Sequence, residues 1–313
     1  MFQIPAIDFA KYNKPMCYEV SLTSEVLDAY RANSHAIHGL PGFMDDFIHL
    51  NLESPDLGII LKHPELVQWL SDGTAVLLPD YPYIKSESGD LLRKSKNEPE
   101  GLSLGIWYIH PKQLEETVFS SPENRNDFRK ATKSFCYDPS LKPVSRLQRN
   151  ANQKRIKDIE ESSGIPYLAS ALDLNAGHIQ WLKELKIMAL GHLSQYYNVT
   201  DEDNTLMFFH RIIAPPHVTL HLHIRVNQGM HPLEKSYRLM LDDIIEGLEY
   251  GKTVKNLILD AGPHYSTADT IGEISRWGTN VSVKNIANPF FVDRASSSPE
   301  NRYKNLTTDH QKT

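Results

Sequence analysis

The sequence has little cysteine and no long apolar run, and both features narrow the class of protein. Only two cysteines, Cys17 and Cys136, occur in 313 residues, which is too few for a disulfide framework and favours a reducing compartment. No stretch approaches the roughly 20 apolar residues that a membrane-spanning helix needs. The N-terminus also lacks the basic and apolar regions of a secretory signal. We therefore expect a cytoplasmic or nuclear protein with no membrane partner.

An excess of positive charge is absent as well. Lysine and arginine total 33 against 39 acidic residues, which gives a net charge of −6. A chain of this charge has no overall attraction for nucleic acid, so a long nucleic acid is not an expected partner and any anion site must be local. The hydrophobic content of 40%, the charged content of 23% and the 19 prolines are typical of a globular protein with many turns.

One stretch, residues 217–226, separates into two faces when it is given the two-residue period of a β-strand. The aliphatic face, which should be buried, consists of Val218, Leu220, Leu222, Ile224 and Val226. The polar face consists of His217, Thr219, His221, His223 and Arg225. Imidazoles attack phosphorus, exchange protons and bind metals, and arginine binds anions. The pattern therefore predicts a strand that presents histidines and an arginine to an anionic ligand.

The remaining periodicity predicts an α+β protein in which strands and helices alternate. A basic, polar segment at about residues 120–165 interrupts the order, and it is interpreted as a solvated insertion, an arm over a phosphate site or a nuclear import patch. The predicted strands are at 74–78, 102–109, 206–210 and 254–260, with shorter strands within 47–60. The predicted helices are at 23–32, 63–70, 174–197 and 233–250.

The order of these elements resembles the histidine-triad superfamily, and within it the C-terminal domain of the scavenger mRNA-decapping enzymes. The likeness rests on residues 76–80, on the helix from His178 to Val199, on residues 206–210 with the histidine strand, and on residues 241–248. It implies a histidine-triad-like antiparallel sheet with flanking helices over residues 74–262, between an N-terminal region (1–73) and a C-terminal extension (263–313). Members of this superfamily commonly dimerise, so a homodimer is implied.

The family signature alternates histidine with apolar residues, and the matching positions here are 219–225. By this resemblance His221 is the nucleophile that attacks a nucleotide phosphate, and His223 contacts the phosphates beside Arg225. Thr219 replaces the first histidine of the triad, and a hydroxyl cannot supply the charge or reach of an imidazole. His217 is one step earlier on the same face and could compensate. We expect Thr219→His to preserve or raise activity.

The base of the nucleotide is assigned to residues at the end of an earlier strand. Asp80 matches an acidic residue near the cap-binding pocket of the decapping enzymes, whereas Pro82 replaces the lysine of that family. Asp80, Tyr81 and His210 are therefore the candidate nucleotide-binding residues. The resemblance implies hydrolysis or transfer at a nucleotide phosphoanhydride, including a cap-like dinucleotide, with no metal and no cofactor.

Three alternatives remain open at this point. The Thr219 replacement is also consistent with a catalytically silent protein that binds nucleotides or a protein partner. Alternatively, the pair His221 and His223 binds a transition metal together with His217 or His210, although Asn227 and Gln228 supply no carboxylate close by. A two-histidine phosphoesterase motif fits residues 217–220 but lacks its second copy.

Overall fold

The computed structural model describes residues 14–37, 42–50, 66–70, 73–79, 102–115, 117–127, 155–212, 218–227, 232–266 and 281–291. They form a mixed α+β fold with antiparallel sheets, as predicted. Among them, no helix is both long enough and apolar enough to cross a membrane. The strands are β1 (Met16–Val20), β2 (Gln68–Leu70), β3 (Ala75–Pro79), β4 (Leu102–Tyr108), β5 (Thr205–His210), β6 (His221–Val226), β7 (Arg238–Met240), β8 (His264–Ser266) and β9 (Val283–Ala287).

Helices occupy many of the connections between strands. Short 3₁₀ turns at Val118–Ser120, Ala171–Asp173 and Ala176–His178 join some of them. The α-helices are α1 (Ser24–Ile37), α2 (Gly42–Ile48), α3 (Pro111–Glu115), α4 (Pro122–Asn126), α5 (Ile156–Ser163), α6 (Ile179–Tyr197), α7 (Pro232–Lys235), α8 (Leu241–Glu249) and α9 (Val254–Asp260).

The histidine strand β6 lies inside the larger sheet. Within the described residues this sheet has the strand order β2-β3-β4-β6-β5-β7, and every neighbouring pair is antiparallel. On one side of β6, Trp107 of β4 is opposite His221. On the other side, Phe208 of β5 is opposite His223. The flanking strands therefore place aromatic side chains directly beside the histidines.

One face of this sheet carries the main core. The five aliphatic residues predicted to face inward, Val218 to Val226 in alternation, are at most 1% exposed and all belong to this core, which confirms that prediction. Helix α6 covers them with Leu182, Leu185, Ala189 and Leu193, which recur at helical spacing. On the opposite face, an aromatic cluster around Phe47, Trp69 and Phe119 packs on β3 and β4.

A second sheet joins the two ends of the described chain in the order β8-β1-β9. Glu19 of β1 is opposite Tyr265 of β8, and Cys17 is opposite Ile286 of β9. Val20 at the end of β1 belongs to the main core, as do Leu27 and Tyr30 of α1. The N-terminal region therefore packs against the segment predicted to be histidine-triad-like. The domain boundaries at 73 and 262 stay a prediction.

Residues 254–260 form a helix, so the predicted strand there is wrong. Thr253 caps this helix, because its Oγ1 accepts a hydrogen bond of 3.2 Å from the backbone nitrogen of Asn256. Val254 and Ile258 are four positions apart, and both are 1% exposed on the buried side of the helix. A short apolar run fits both a strand and a buried helix, so periodicity alone does not distinguish them.

The predicted helix over 233–250 is interrupted by β7, whose Phe208↔Met240 and His210↔Arg238 pairs complete the edge of the sheet next to β5. Similarly, Gln68–Leu70 at the end of the predicted helix 63–70 form β2 and pair with β3, while 63–65 lie outside the described residues. Gly42–Ile48 form α2, so the strand predicted to begin at 47 is wrong there. Pairing with a sheet edge outweighs local helical patterns at both strands.

The predicted insertion at 120–165 is described only at its two ends, since residues 128–154 lie outside the described ranges. At the first end, Ser121 precedes Pro122 at the start of α4, which is the cap and proline pattern expected of a helix start. At the other end, Ile156 and Ile159 of α5 are at most 1% exposed and belong to the main core. The segment around α5 is therefore packed against the fold rather than solvated.

Candidate active site

Three histidines from two neighbouring strands form one cluster. His221 and His223 alternate on β6, and His210 comes from the end of β5. One nitrogen of each ring lies within 4.8 Å of the corresponding nitrogens of the other two. The ring centroids of His223 lie 4.5 Å from His210 and 4.8 Å from His221. We call these residues the histidine cluster. His221 is 5% exposed, and the other two are half-buried.

A backbone hydrogen bond fixes the orientation and the tautomer of His221. Its Nδ1 lies 2.8 Å from the carbonyl oxygen of Thr219. Because a carbonyl oxygen only accepts, Nδ1 must carry the hydrogen and donate it. In the neutral ring Nε2 then holds the basic lone pair. The folded chain thus selects the tautomer in which Nε2 is the nucleophilic or metal-binding nitrogen.

Trp107 supports the same ring from its face. The indole of Trp107 and the imidazole of His221 are stacked, with centroids 4.3 Å apart and an interplanar angle of 17°. This packing needs a glycine at Gly105, because a Cβ atom there would lie 2.8 Å from the indole nitrogen of Trp107. His221 is consequently held both in its plane, by the Thr219 carbonyl, and from one face, by Trp107.

Aromatic neighbours also order His223 and His210. The ring of His223 stacks on Phe208 at 5.2 Å, and Tyr237 meets His210 edge-on at 5.5 Å. His210 is half-buried. Burial lowers the pKa of His210 well below its ordinary value, and the nearby histidines and arginines lower it further. His210 is therefore a neutral imidazole at neutral pH.

A buried group of two arginines and one glutamate lies beside the histidine cluster. Arg225 donates from Nη1 to Oε1 of Glu234 over 3.1 Å, and Arg238 donates from Nη2 to the same oxygen. Arg238 is 5% exposed and Glu234 only 2%. The guanidinium of Arg238 also lies 3.7 Å from the centroid of the Phe208 ring. Two buried guanidinium groups therefore share one carboxylate oxygen beside the histidine cluster.

This group adds a partner that was not predicted for Arg225. The sequence predicts that Arg225 contacts the phosphates, which stays a prediction, and its guanidinium forms a buried ion pair with Glu234. Neither Glu234 nor Arg238 was a predicted site residue. A glutamate four positions before an arginine is typical of an exposed helix surface, which is why the predicted helix over 233–250 concealed them. No local signal in the sequence distinguishes a glutamate–arginine pair on an exposed helix surface from a pair that is buried.

Thr219 does not point toward the histidine cluster. It is fully buried, and its Oγ1 shares a hydrogen bond of 3.0 Å with the hydroxyl of Tyr167, a residue of the main core. The regular strand begins only at His221, and Val218 and Leu220 on either side of Thr219 also belong to the main core. The predicted alternation therefore does not include Thr219, whose hydroxyl is bonded to Tyr167 instead of lying beside the histidines.

The position of Thr219 argues against the expected effect of Thr219→His, which stays untested. An imidazole at a fully buried position, in place of the bond to Tyr167, would overpack the core rather than restore a ligand contact. The other predicted site residues, His217, Asp80 and Tyr81, lie outside the described residues. His210 was predicted to contact the nucleotide, and it is the residue that joins His221 and His223.

Comparison with known proteins assigns no family to the chain. No family model matches the sequence, and no curated protein matches it either. Among the described residues, the histidine cluster contains no carboxylate and no thiol that could join its three imidazoles. Its geometry is suited to two kinds of chemistry, which are attack on an electrophilic phosphorus and coordination of a transition metal.

Proposed function

We propose that the protein cleaves, or transfers a nucleotidyl group from, a nucleotide phosphoanhydride, with Nε2 of His221 as the nucleophile. The observation that carries this proposal is the 2.8 Å hydrogen bond from Nδ1 of His221 to the Thr219 carbonyl. A histidine can attack phosphorus only when the attacking nitrogen holds a lone pair, and this bond reserves Nε2 for that purpose. Stacking on Trp107 restricts the rotation of the ring.

The proposed reaction has two steps. Nε2 forms a bond to phosphorus while the bond to the bridging oxygen breaks, and the electron pair leaves with the second phosphate. Because the leaving group is itself a phosphate, it departs as an anion and needs no strong general acid. The positive charge that develops on the ring is stabilised by the Thr219 carbonyl at Nδ1. Water or another acceptor then attacks phosphorus and releases His221.

Local charge supports an anionic substrate. The chain has a net charge of −6, yet two arginines, Arg225 and Arg238, lie beside the histidine cluster at the shared carboxylate of Glu234. Both arginines are at most 8% exposed, so their charges are screened less than they would be at the surface. In this proposal Arg225 acts as part of a fixed positive field, and His223 makes the direct contact with phosphate.

The likeness to the histidine-triad superfamily extends the proposal to the fold and the substrate. The antiparallel order β3-β4-β6-β5, with α6 on the face opposite the histidines, agrees with the histidine-triad-like sheet that the sequence implies. A nucleotide bound at the cluster would place its base toward Asp80 and Tyr81, which remain predictions. A cap-like dinucleotide as substrate and a homodimer also remain predictions.

The test is turnover of a panel of dinucleoside polyphosphates and cap analogues by the wild-type protein and by His221→Gln. Loss of the nucleophile should lower turnover roughly a thousandfold or more, because a covalent step cannot proceed without it. An acid-labile nucleotidyl label on the wild-type protein should be absent from the variant. His49→Gln is the matched control, since His49 is a partly exposed histidine outside the cluster.

Two outcomes would contradict the proposal. Near-normal turnover by a folded His221→Gln protein would exclude His221 as the nucleophile. Binding of nucleotides without any turnover by the wild-type protein would identify the silent alternative. Folding of each variant is checked by its urea unfolding midpoint, so that lost activity is not confused with lost structure.

A further inference from the structure

We propose that the histidine cluster is also a zinc site, in which His210, His221 and His223 each supply one ring nitrogen to a single Zn²⁺ ion. Zinc bound there would occupy the nitrogen that attacks phosphorus, and it would therefore inhibit nucleotide cleavage. The inhibitory part rests on the proposed function. The binding part stands on the geometry of the three rings alone.

The distances between the rings are suited to one shared ion. Tetrahedral zinc with bonds to nitrogen of about 2.0–2.1 Å requires its ligand atoms to lie about 3.3 Å apart. The three nitrogens already lie within 4.8 Å of one another. His210 and His223 are half-buried, so modest side-chain rotations can close the remaining gap while the buried His221 stays in place. Because all three residues are on paired strands, the backbone holds them near this arrangement.

The kind of donor selects the kind of metal. Three imidazoles without a carboxylate or thiol, among the residues that the structure describes, suit zinc, copper, nickel or cobalt rather than calcium or magnesium. Metal-bound histidines usually donate their second ring nitrogen to a carbonyl or carboxylate, which orients the ring. His221 already makes this bond to the Thr219 carbonyl at 2.8 Å. The cluster therefore contains an orienting contact of the kind that supports a metal ligand.

Among the described residues three protein ligands are present, which leaves the fourth tetrahedral position open to a small molecule. Neutral imidazoles do not offset the charge of Zn²⁺. The fourth ligand is therefore expected to be an anion, such as hydroxide or inorganic phosphate. A dedicated structural zinc site has four protein ligands, so the part of the site that the structure describes is of the open kind.

The experiment titrates Zn²⁺ into chelator-treated wild-type protein against a chromophoric chelator, with Co²⁺ as a spectroscopic substitute. We expect one zinc per chain and the intense visible absorption of four-coordinate cobalt. His210→Gln and His223→Asn should each lower zinc affinity by more than about 100-fold, since even loss of an orienting contact costs about 10–100-fold. His49→Gln should bind zinc as the wild type does.

The outcomes separate the zinc site from the proposed function. Absence of one tight zinc per wild-type chain, or unchanged affinity in both folded variants, would overturn the site. Zinc binding without nucleotide turnover under any condition would uphold the site and contradict the proposed function. If the protein does turn over nucleotides, zinc should inhibit in proportion to occupancy, and the inhibition should be lost in His210→Gln. Full activity with zinc bound would refute the inhibitory part.

Discussion

Neutralising Glu234 should destabilise the protein more than any comparable surface change. Its carboxylate is 2% exposed and accepts hydrogen bonds from both Arg225 and Arg238 at one oxygen. Glu234→Gln keeps the size of the side chain but removes the carboxylate that the two buried guanidinium groups share. Removing one partner of a buried ion pair costs about 3–5 kcal/mol. This is a large part of the total stability of about 5–15 kcal/mol that is usual for a folded protein.

The assay is urea unfolding followed by tryptophan fluorescence, with the free energy of unfolding taken from the midpoint and slope. Asp242→Asn is the matched control, because Asp242 pairs with Lys186 at 2.6 Å but its side chain is 69% exposed. Screening by water makes such a pair weak, so the control should lose only a small fraction of what Glu234→Gln loses.

A double-variant cycle then tests whether the loss comes from the buried charges. Arg238→Met in the Glu234→Gln background removes one of the two cations that shared the carboxylate and should recover part of the stability, because apolar replacement of buried ion pairs is often neutral or favourable. If Glu234→Gln costs no more than the Asp242 control, the carboxylate does not compensate the two arginines.

Two further predictions concern the support of His221 and the packing of α1. Gly105→Ala would bring a Cβ within 2.8 Å of the Trp107 indole nitrogen, so the stacking of Trp107 on His221 should be lost. Turnover in steady-state assays should then fall, while the urea unfolding midpoint changes less. Unchanged turnover would contradict the role of Trp107 in positioning His221. Burial alone would lower the pKa of His35, but its bonds to Asp173 and Glu160 raise it. The stabilisation by protonated His35 is therefore complete below about pH 6.5 and is lost as the pH rises through the raised pKa. His35→Gln should cost more stability in urea unfolding at about pH 6 than at about pH 9. An equal cost at both pH values would refute the pairing of protonated His35 with the two carboxylates.

The parts of the fold that depend on a sustained period could be predicted from the sequence. The aliphatic residues of the histidine strand alternate with a two-residue period, and those of α6 recur at helical spacing. Both predictions are confirmed. The segments at 238–240 and 254–260 are short, and their apolar residues fit either a strand or a helix. Residues 238–240 form a strand because they pair with the edge of β5, and no local pattern in the sequence indicates that pairing. At 254–260 the cap at Thr253 was the signal that could have indicated a helix.

The histidine cluster was predicted in part, and the missed part has a physical cause. Alternation along the histidine strand correctly placed His221 and His223 on one face, but it also placed Thr219 there, together with His217, which lies outside the described residues. The chain leaves regular strand geometry before His221, so the side chain of Thr219 bonds to Tyr167 in the main core. The role of His210 depends on the register between β5 and β6. Sequence periodicity gives the faces of two strands but not the register between them.

Thr219 stands where the histidine-triad signature has its first histidine, yet a third imidazole is present. His210 of β5 brings its ring to 4.5 Å from His223, so three imidazoles meet although only two come from the histidine strand. No carboxylate joins the three rings in the cluster, as far as the chain is described, and two buried arginines lie beside it. Under the proposed function such a site attracts a nucleotide phosphate, and Nε2 of His221 meets the phosphorus. In the proposed zinc site the metal occupies that nitrogen and requires an anion as its fourth ligand. Occupancy by zinc therefore decides between turnover and inhibition.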